Sequence, residues 1–241
     1  MGKRGRTKGI FFDKEFKDIR LAQFYNDDTL NIFSDASFIG GFYNSKQIGK
    51  GKGCYCCIAV CKDNIIDQQI TISSHSTVPE SELKGIRRAL SFANQYKSQY
   101  KFINIFSDSL YSVNAINHYS RECYRYSPDT ANINLILETH YIYRELLDYP
   151  NCMITIYHQS GHIATSNLNS VKEAGAKFMR FNNFRGQNDL NFIRYISTYN
   201  DKVDNLSRSY LKQHMDLEIE NPIMFSTNLL KQDKEMFIYV P

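Results

Sequence analysis

Apolar residues along the chain recur with two spacings, and each change of spacing marks an element. Residues 29–36, Thr-Leu-Asn-Ile-Phe-Ser-Asp-Ala, form a short apolar run that predicts a strand ending at an acid. A connection containing Gly40, Gly41, Gly49, Gly51 and Gly53 follows, and 54–61 then reads as a second strand. Residues 64–72 look like its hairpin partner, while 102–107 and 152–157 are two further short strands. Helical spacing begins after Thr77-Val-Pro-Glu80, which has the form of a capping box with Pro in the first turn. Leu83, Ile86, Leu90 and Ala93 continue that stripe. Further helices are predicted over 109–118 and 132–147, and from Asn200 onward through Val203, Leu206, Tyr210 and Leu211. Three strands followed by helix–strand alternation predict an α/β fold with a sheet of mixed direction.

Composition narrows the class without changing this outline. The 241 residues are 42% hydrophobic and 22% charged, with 12 Gly and 5 Pro, which excludes a disordered or fibrous chain. No run approaches the ~18 apolar residues of a spanning helix, and Met1-Gly-Lys-Arg-Gly-Arg6 carries no apolar stretch. The expectation is a cytoplasmic protein without membrane contact. Rich usage of Asn, Tyr and Ile fits an AT-rich genome such as a bacteriophage's, which would make the compartment the host cytoplasm.

Charge is unevenly placed. Lys3, Arg4, Arg6, Lys8, Lys14, Lys17 and Arg20 against Asp13, Glu15 and Asp18 account for the whole net charge of +4, so residues 1–27 read as a basic arm on a neutral body. Such an arm can hold phosphates, or simply be a solvated start. Cys54, Cys56, Cys57 and Cys61 crowd eight residues, yet their spacing is not that of zinc knuckles. On a strand, Cys54 and Cys56 take one face and Cys57 and Cys61 the other; with Cys123 and Cys152 they read as small apolar residues in a reducing compartment. The Gly-Lys-Gly-Lys-Gly run at 49–53 precedes a strand and lacks a Gly-Lys-Ser/Thr ending, so it reads as a loop rather than a phosphate cradle.

The candidate chemistry lies in the acids. Ile32-Phe-Ser-Asp35 and Ile105-Phe-Ser-Asp108 end two strands in the same way, and ligands of open α/β sheets gather at the carboxyl ends of parallel strands. If the two strands are parallel neighbours, the carboxylates lie a few ångströms apart, which demands a shared proton or a divalent cation. Glu82, at the edge of its helix's apolar stripe, and Asp204, beside core-facing Val203, are placed to join them. Each acid taken singly also fits an ordinary cap or an exposed helix position.

Taken in order, Ile-Phe-Ser-Asp35-Ala-Ser, Thr77-Val-Pro-Glu-Ser-Glu82-Leu, Ile-Phe-Ser-Asp108-Ser-Leu-Tyr and Asn200-Asp-Lys-Val-Asp204-Asn-Leu-Ser resemble the four carboxylate motifs of type 1 ribonuclease H. His158-Gln-Ser-Gly-His162 is similar to the Gly-His element that precedes the fourth motif in that family. The resemblance covers roughly residues 28–212. It implies a five-stranded mixed sheet with helices on both faces, and an endoribonuclease that cleaves the RNA strand of RNA–DNA hybrids. Asp35, Glu82, Asp108 and Asp204 would hold two Mg²⁺ ions about 4 Å apart, with Asp35 bridging and Mn²⁺ able to substitute. His162 would assist proton transfer or product release from a mobile loop. Glu82 is preferred over Glu80 because Glu-Leu is the family's pairing. Ser37, Thr77 and Asn132 would contact the substrate, and the chain would act as a monomer.

Three departures stand out. Val78 and Pro79 occupy the positions where the family often carries amide side chains, so the hybrid's minor-groove reader is missing there. The chain has no Trp, and Arg121, Tyr124, Arg125 and Tyr126 are the candidates for a basic handle. Residues 163–199 form an insertion in which Ser170-Val-Lys-Glu173 reads as a second capping box, followed by Ala174, Phe178 and Phe181 at helical spacing. Its Lys172, Lys177, Arg180, Arg185 and Arg194 suggest a basic lid over the site that binds substrate, with structural decoration as the alternative. Residues 213–241 read as a C-terminal extension in which 236–240 is a candidate strand. A junction resolvase or other nuclease on the same fold, and a non-catalytic nucleic-acid-binding module, are the competing functions. An exonuclease is disfavoured, since Asp35-Ala-Ser37 lacks the Asp-x-Glu of that group.

Overall fold

A computed structural model describes residues 18–40, 42–43, 46–47, 51–121, 130–214, 223–228 and 237–239. The first seventeen residues of the arm, Cys123, and Tyr124, Arg125 and Tyr126 of the candidate handle lie outside the described residues. The strands are β1 (Thr29–Ile39), β2 (Phe42–Tyr43), β3 (Lys46–Gln47), β4 (Gly51–Cys61), β5 (Asn64–Ser76), β6 (Phe102–Ser107), β7 (Met153–His158), β8 (Ile223–Asn228) and β9 (Phe237–Tyr239). The helices are α1 (Val78–Tyr96), α2 (Leu110–Arg121), α3 (Ile133–Leu147), α4 (Leu168–Phe181) and α5 (Leu190–Gln213).

The main sheet runs β7-β6-β1-β4-β5-β8-β9. β1, β6 and β7 are mutually parallel, whereas β4 and β5 pair antiparallel. The five expected strands are therefore present in a mixed sheet, and β8 and β9 of the C-terminal segment extend it. Gly51 and Gly53 belong to β4 rather than to the loop before it, because pairing with β1 continues to Lys52. Among the described residues, no helix is long and apolar enough to cross a membrane.

Side chains alternate between two cores, one on each face of the sheet. Leu30, Ile32, Cys57, Ala59, Ile103 and Ile105 meet the inner faces of α1, α2 and α3. Phe33, Cys54, Cys56, Ile58 and Phe106 meet α4 and α5 on the other face. The strand cysteines thus divide as their alternation predicts, and Cys54, Cys56, Cys57, Cys61 and Cys152 are free thiols.

The segment 163–199 is no lid. Val171, Ala174, Phe178 and Met179 of α4 are core residues, and Phe178 is 1% exposed. Its ring lies 5.2 Å from Phe192 and 5.8 Å from Tyr157. The helix begins at Asn167, whose side chain accepts from the Asn169 and Ser170 backbone N–H groups, so the expected cap at Ser170 falls inside the first turn. A second helix occupies the rest of the segment. α5 starts at Leu190, capped by Asp189, and not at Asn200. Its early turns bury Phe192, Ile193 and Ile196 in the same core.

Residues 18–27, assigned to the arm from sequence, dock against this segment. Ile19 is 1% exposed, donates to Gln187 O at 2.9 Å and accepts from Asp189 N at 3.0 Å. Phe24 packs its ring 4.3 Å from that of Phe192, tilted by 31°.

Because Phe178 is buried within an aromatic cluster, Phe178→Ala is expected to lower the unfolding free energy by about 3–5 kcal/mol. Urea denaturation measures this. A segment merely laid over the site would leave stability within about 0.5 kcal/mol.

Candidate active site

The pairing of β1 with β6 is what brings the first two acids together. Their parallel register ends at Ser34–Ser107, so Asp35 and Asp108 are the next residue on each strand. β1 itself continues to Ile39 along β4, which leaves Asp35 within the strand, opposite Cys56. Asp35 shares the face of Phe33, toward α5, and is 4% exposed.

Two helices deliver the other acids from opposite faces. α1 starts where the Thr77 hydroxyl accepts from Glu80 N at 3.3 Å, and Glu82 lies in its second turn. Glu80 turns away and pairs with Lys84 at 2.7 Å, which leaves Glu82 to the cluster. Gly85 lets α1 approach β1, since a Cβ there would stand 2.6 Å from Ser34 Oγ. On the other face α5 carries Asp204 above β1 and β4. Adjacent cysteines of β4 hold the two helices: the Cys56 thiol donates to Val203 O at 3.0 Å, and the Cys57 thiol to Gly85 O at 3.3 Å. A third anchor joins Ser37 Oγ to Ser207 Oγ at 2.6 Å.

The result is a set of carboxylate oxygens from Asp35, Glu82 and Asp108 that all lie within 4.8 Å of one another. Burial, followed by repulsion from Asp108 and Asp204, pushes the Asp35 carboxyl up to about 8, against the opposing pull of the Ala36 N–H. Burial also raises Glu82 well above the ordinary range, reinforced by Asp35, Asp108 and Asp204. Asp108 is raised by burial as well, while Asn200 and His162 oppose the shift. Glu82 Oε2 is buried and has no hydrogen-bond partner among the described residues.

Around Asp108 the packing is tight. A Cβ on Gly161 would collide with Asp108 Oδ2, so a larger residue there would push the Asp108 carboxylate aside. Asn200 Nδ2 donates to Asp108 Oδ2 at 3.4 Å, and Asn200 in turn accepts from Gln159 Nε2 at 2.6 Å. Past Gly161, His162 sits at φ 53°, a left-handed turn that sets its ring toward α5. His162 Nδ1 is 3.7 Å from Asp204 Oδ2, and Arg208 Nε is 2.8 Å from Asp204 Oδ1.

Asp35, Glu82, Asp108, His162 and Asp204 thus line one open cleft of about 640 Å³, together with Ser37, Arg208 and Lys212. Thr77 serves as the α1 cap. Asn132, at φ 60° before α3, donates to Tyr111 Oη at 3.4 Å and lines a separate groove beside Lys84. Lys172, Lys177, Arg180 and Arg185 are exposed on α4 and the turn after it, outside the cleft lining. Lys177 pairs with Glu173 at 2.7 Å, and the Arg180 guanidinium lies 4.8 Å from the centre of the Phe181 ring. Sequence reasoning passed over Arg208, although its place four residues after Asp204 is the spacing of a helical ion pair. It also passed over Gln159 and the helix-anchoring role of the two cysteines, for which no short motif exists.

The sequence matches no protein-family model, and no curated protein matches it. Solved structures do resemble it. The solution structure of the PFV RNase H domain is 14% identical, with a TM-score of 0.45 over 66% of this chain and 94% of that one. RNase H1 from the halophilic archaeon Halobacterium salinarum NRC-1 is 16% identical, with a TM-score of 0.38 over 54% and 86%. LC11-RNase H1, solved in complex with an RNA/DNA hybrid, is 14% identical, with a TM-score of 0.39 over 60% and 92%. Likeness at this level says nothing of the reaction. The ribonuclease H-like fold is visible in the strand order and directions themselves.

The raised carboxyls make a prediction for the metal-free protein. An unfolded aspartate loses its proton near 3.8, whereas folded Asp35 keeps it to about 8. Between those values the unfolded state is favoured progressively, so stability falls as pH rises through that window and levels off above it. Thermal unfolding in EDTA from pH 5 to 8 should show this decline, and Asp35→Asn should flatten it and raise the unfolding temperature at the upper end. A wild-type curve that stays flat or rises over that range would contradict the assignment.

Proposed function

We propose that this chain is a metal-dependent endoribonuclease that hydrolyses the RNA strand of RNA–DNA hybrids as a monomer. The observation that carries the reading is the cluster of three carboxylates, Asp35 and Asp108 from neighbouring parallel strands and Glu82 from α1, with a fourth, Asp204, and His162 on the same cleft. Three such groups repel one another at this separation, and a divalent cation removes that repulsion.

The residues fit such a cation. The orphaned Glu82 Oε2 is a buried acceptor in need of a partner, and the donor set is all oxygen, which suits Mg²⁺ or Mn²⁺ rather than a thiolate-loving ion. Asp35, Glu82 and Asp108 would hold one ion, and Asp35 with Asp204 a second. Bound there, the ions supply Lewis-acid polarisation of a phosphate and a more acidic water. The chain's own groups do the rest. Asn200 and Gln159 hold Asp108 in place, and the Cys56 and Cys57 contacts fix the helices that carry Asp204 and Glu82. His162 stands at the rim, 62% exposed, where its ring can carry a proton between the reacting phosphate and water.

Substrate contacts follow from what surrounds the cleft. Ser37 lies in it, one pleat beyond Asp35. Thr77 and Asn132 sit near the starts of α1 and α3 and would meet the second strand of the duplex. Lys172, Lys177, Arg180 and Arg185 offer a basic face that would follow backbone phosphates beyond the reacting one.

Incubation with Mg²⁺ and labelled RNA–DNA, RNA–RNA, DNA–DNA and four-way junction substrates tests the reading. Hybrid RNA should be cut, with Asp35→Asn and Asp108→Asn each slower by about 10³-fold or more. Junction cleavage alone would assign a resolvase, and binding without any cleavage a non-catalytic module. Either result, or variants that cleave as fast as wild type, would overturn it.

A further inference from the structure

The four acids of the cleft are not equivalent. Asp35, Glu82 and Asp108 crowd together, and among the described residues no Lys or Arg pairs with them: the Ala36 N–H lies 2.7 Å from Asp35, the Asn200 amide 3.4 Å from Asp108, and the Asp204 carboxyl meets that of Asp35. Asp204 differs. Arg208 Nε stands 2.8 Å from its Oδ1, and His162 Nδ1 stands 3.7 Å from its Oδ2. Arg208 and His162 also meet each other, with Arg208 Nη2 3.3 Å from His162 Nε2. A guanidinium can only donate, so His162 Nε2 is the acceptor and the ring proton lies on Nδ1, facing Asp204. Both oxygens of Asp204 are thereby covered, one of them by a permanent positive charge.

We infer that Arg208 is an internal competitor for the second divalent ion: its guanidinium occupies Asp204 in the metal-free protein and must leave before that carboxylate can serve a cation. This rests on the metal-dependent reading proposed above and deepens it. The first ion relieves repulsion among Asp35, Glu82 and Asp108. The second gains less, because it must break an existing ion pair at a side chain only 9% exposed. Unequal affinities follow, with the weaker site at Asp204. Arg208 itself is 57% exposed, so its side chain can swing away without disturbing the core. As an exposed partner on a helix it contributes modestly, which limits the size of the effect. Arg208 is therefore a positioning residue that sets ion occupancy.

Calorimetric titration of the full chain with Mn²⁺, without nucleic acid, reads both sites directly and requires no turnover. Arg208→Ala should tighten the second site by about threefold to tenfold while leaving the first unchanged. Arg208→Lys, which keeps the charge but loses the fork, should fall between wild type and Arg208→Ala. Matching unfolding temperatures in EDTA would show that the variants fold. An unchanged or weakened second site in Arg208→Ala, with the first site intact, overturns this inference alone. Absence of any Mn²⁺ binding in wild type overturns the metal-dependent reading and this one with it.

Discussion

Repulsion between like charges at short range is the constraint on which the rest of this molecule depends. Asp35, Glu82 and Asp108 bring carboxylate oxygens within 4.8 Å of one another, in a place where burial strips away the water that would screen them. Left to itself such a cluster holds protons that ordinary carboxylates would release, and it weakens the fold near neutral pH. It persists because the surrounding structure over-determines it. Parallel pairing of β1 with β6 puts two of the acids side by side whatever their charge, and helices packed on opposite faces bring Glu82 and Asp204.

Small side chains make that convergence possible. Cys56 and Cys57 are adjacent on β4 and face opposite ways, so each thiol reaches a backbone carbonyl of a different helix. Gly85 lets α1 settle onto Ser34, and Gly161 lets the loop after β7 press on Asp108. A larger residue at any of these positions would move an acid away from its neighbours. The same principle, extended, explains the segment between β7 and the end of α5. Instead of covering the cleft, it supplies the aromatic half of one core, where Phe106, Phe178 and Phe192 pack below the strands that carry Asp35 and Asp108. Rigidity under the acids, rather than a cover above them, is its structural contribution.

Much of this was legible in the sequence, and the limits are physical. Strands at 29–36 and 102–107 were readable because an apolar run stopped by an acid after a few residues is too short for a helix and too apolar for a loop. The four acids were readable because each interrupts or borders an apolar pattern. The start of α5 was not. Tyr195, Ser197 and Asn200 lie on its buried face, so the apolar stripe is broken by polar residues whose partners are distant in sequence. Ser170 looked like a cap because Ser-x-x-Glu fits the pattern, but Asn167 reaches two free N–H groups first. Gly51 and Gly53 looked like a loop because glycine usually punctuates strands. In β4 a Cβ on Gly51 would meet the Ile39 carbonyl oxygen, and one on Gly53 the Ser81 hydroxyl. β9 falls within the candidate strand at 236–240, whereas β8 depends on β5, a pairing partner far away in the chain that local pattern does not reveal.

The central claim is that this carboxylate cluster exists to hold a divalent cation. Crystals of the full chain grown with Mn²⁺ and measured at its absorption edge test it most directly. The predicted result is an anomalous peak within coordination distance of oxygens from Asp35, Glu82 and Asp108, with the buried Glu82 oxygen that has no partner among the described residues turned toward it. A cluster without a peak, its carboxyls joined to one another by short hydrogen bonds while Mn²⁺ occupies other sites, would contradict it.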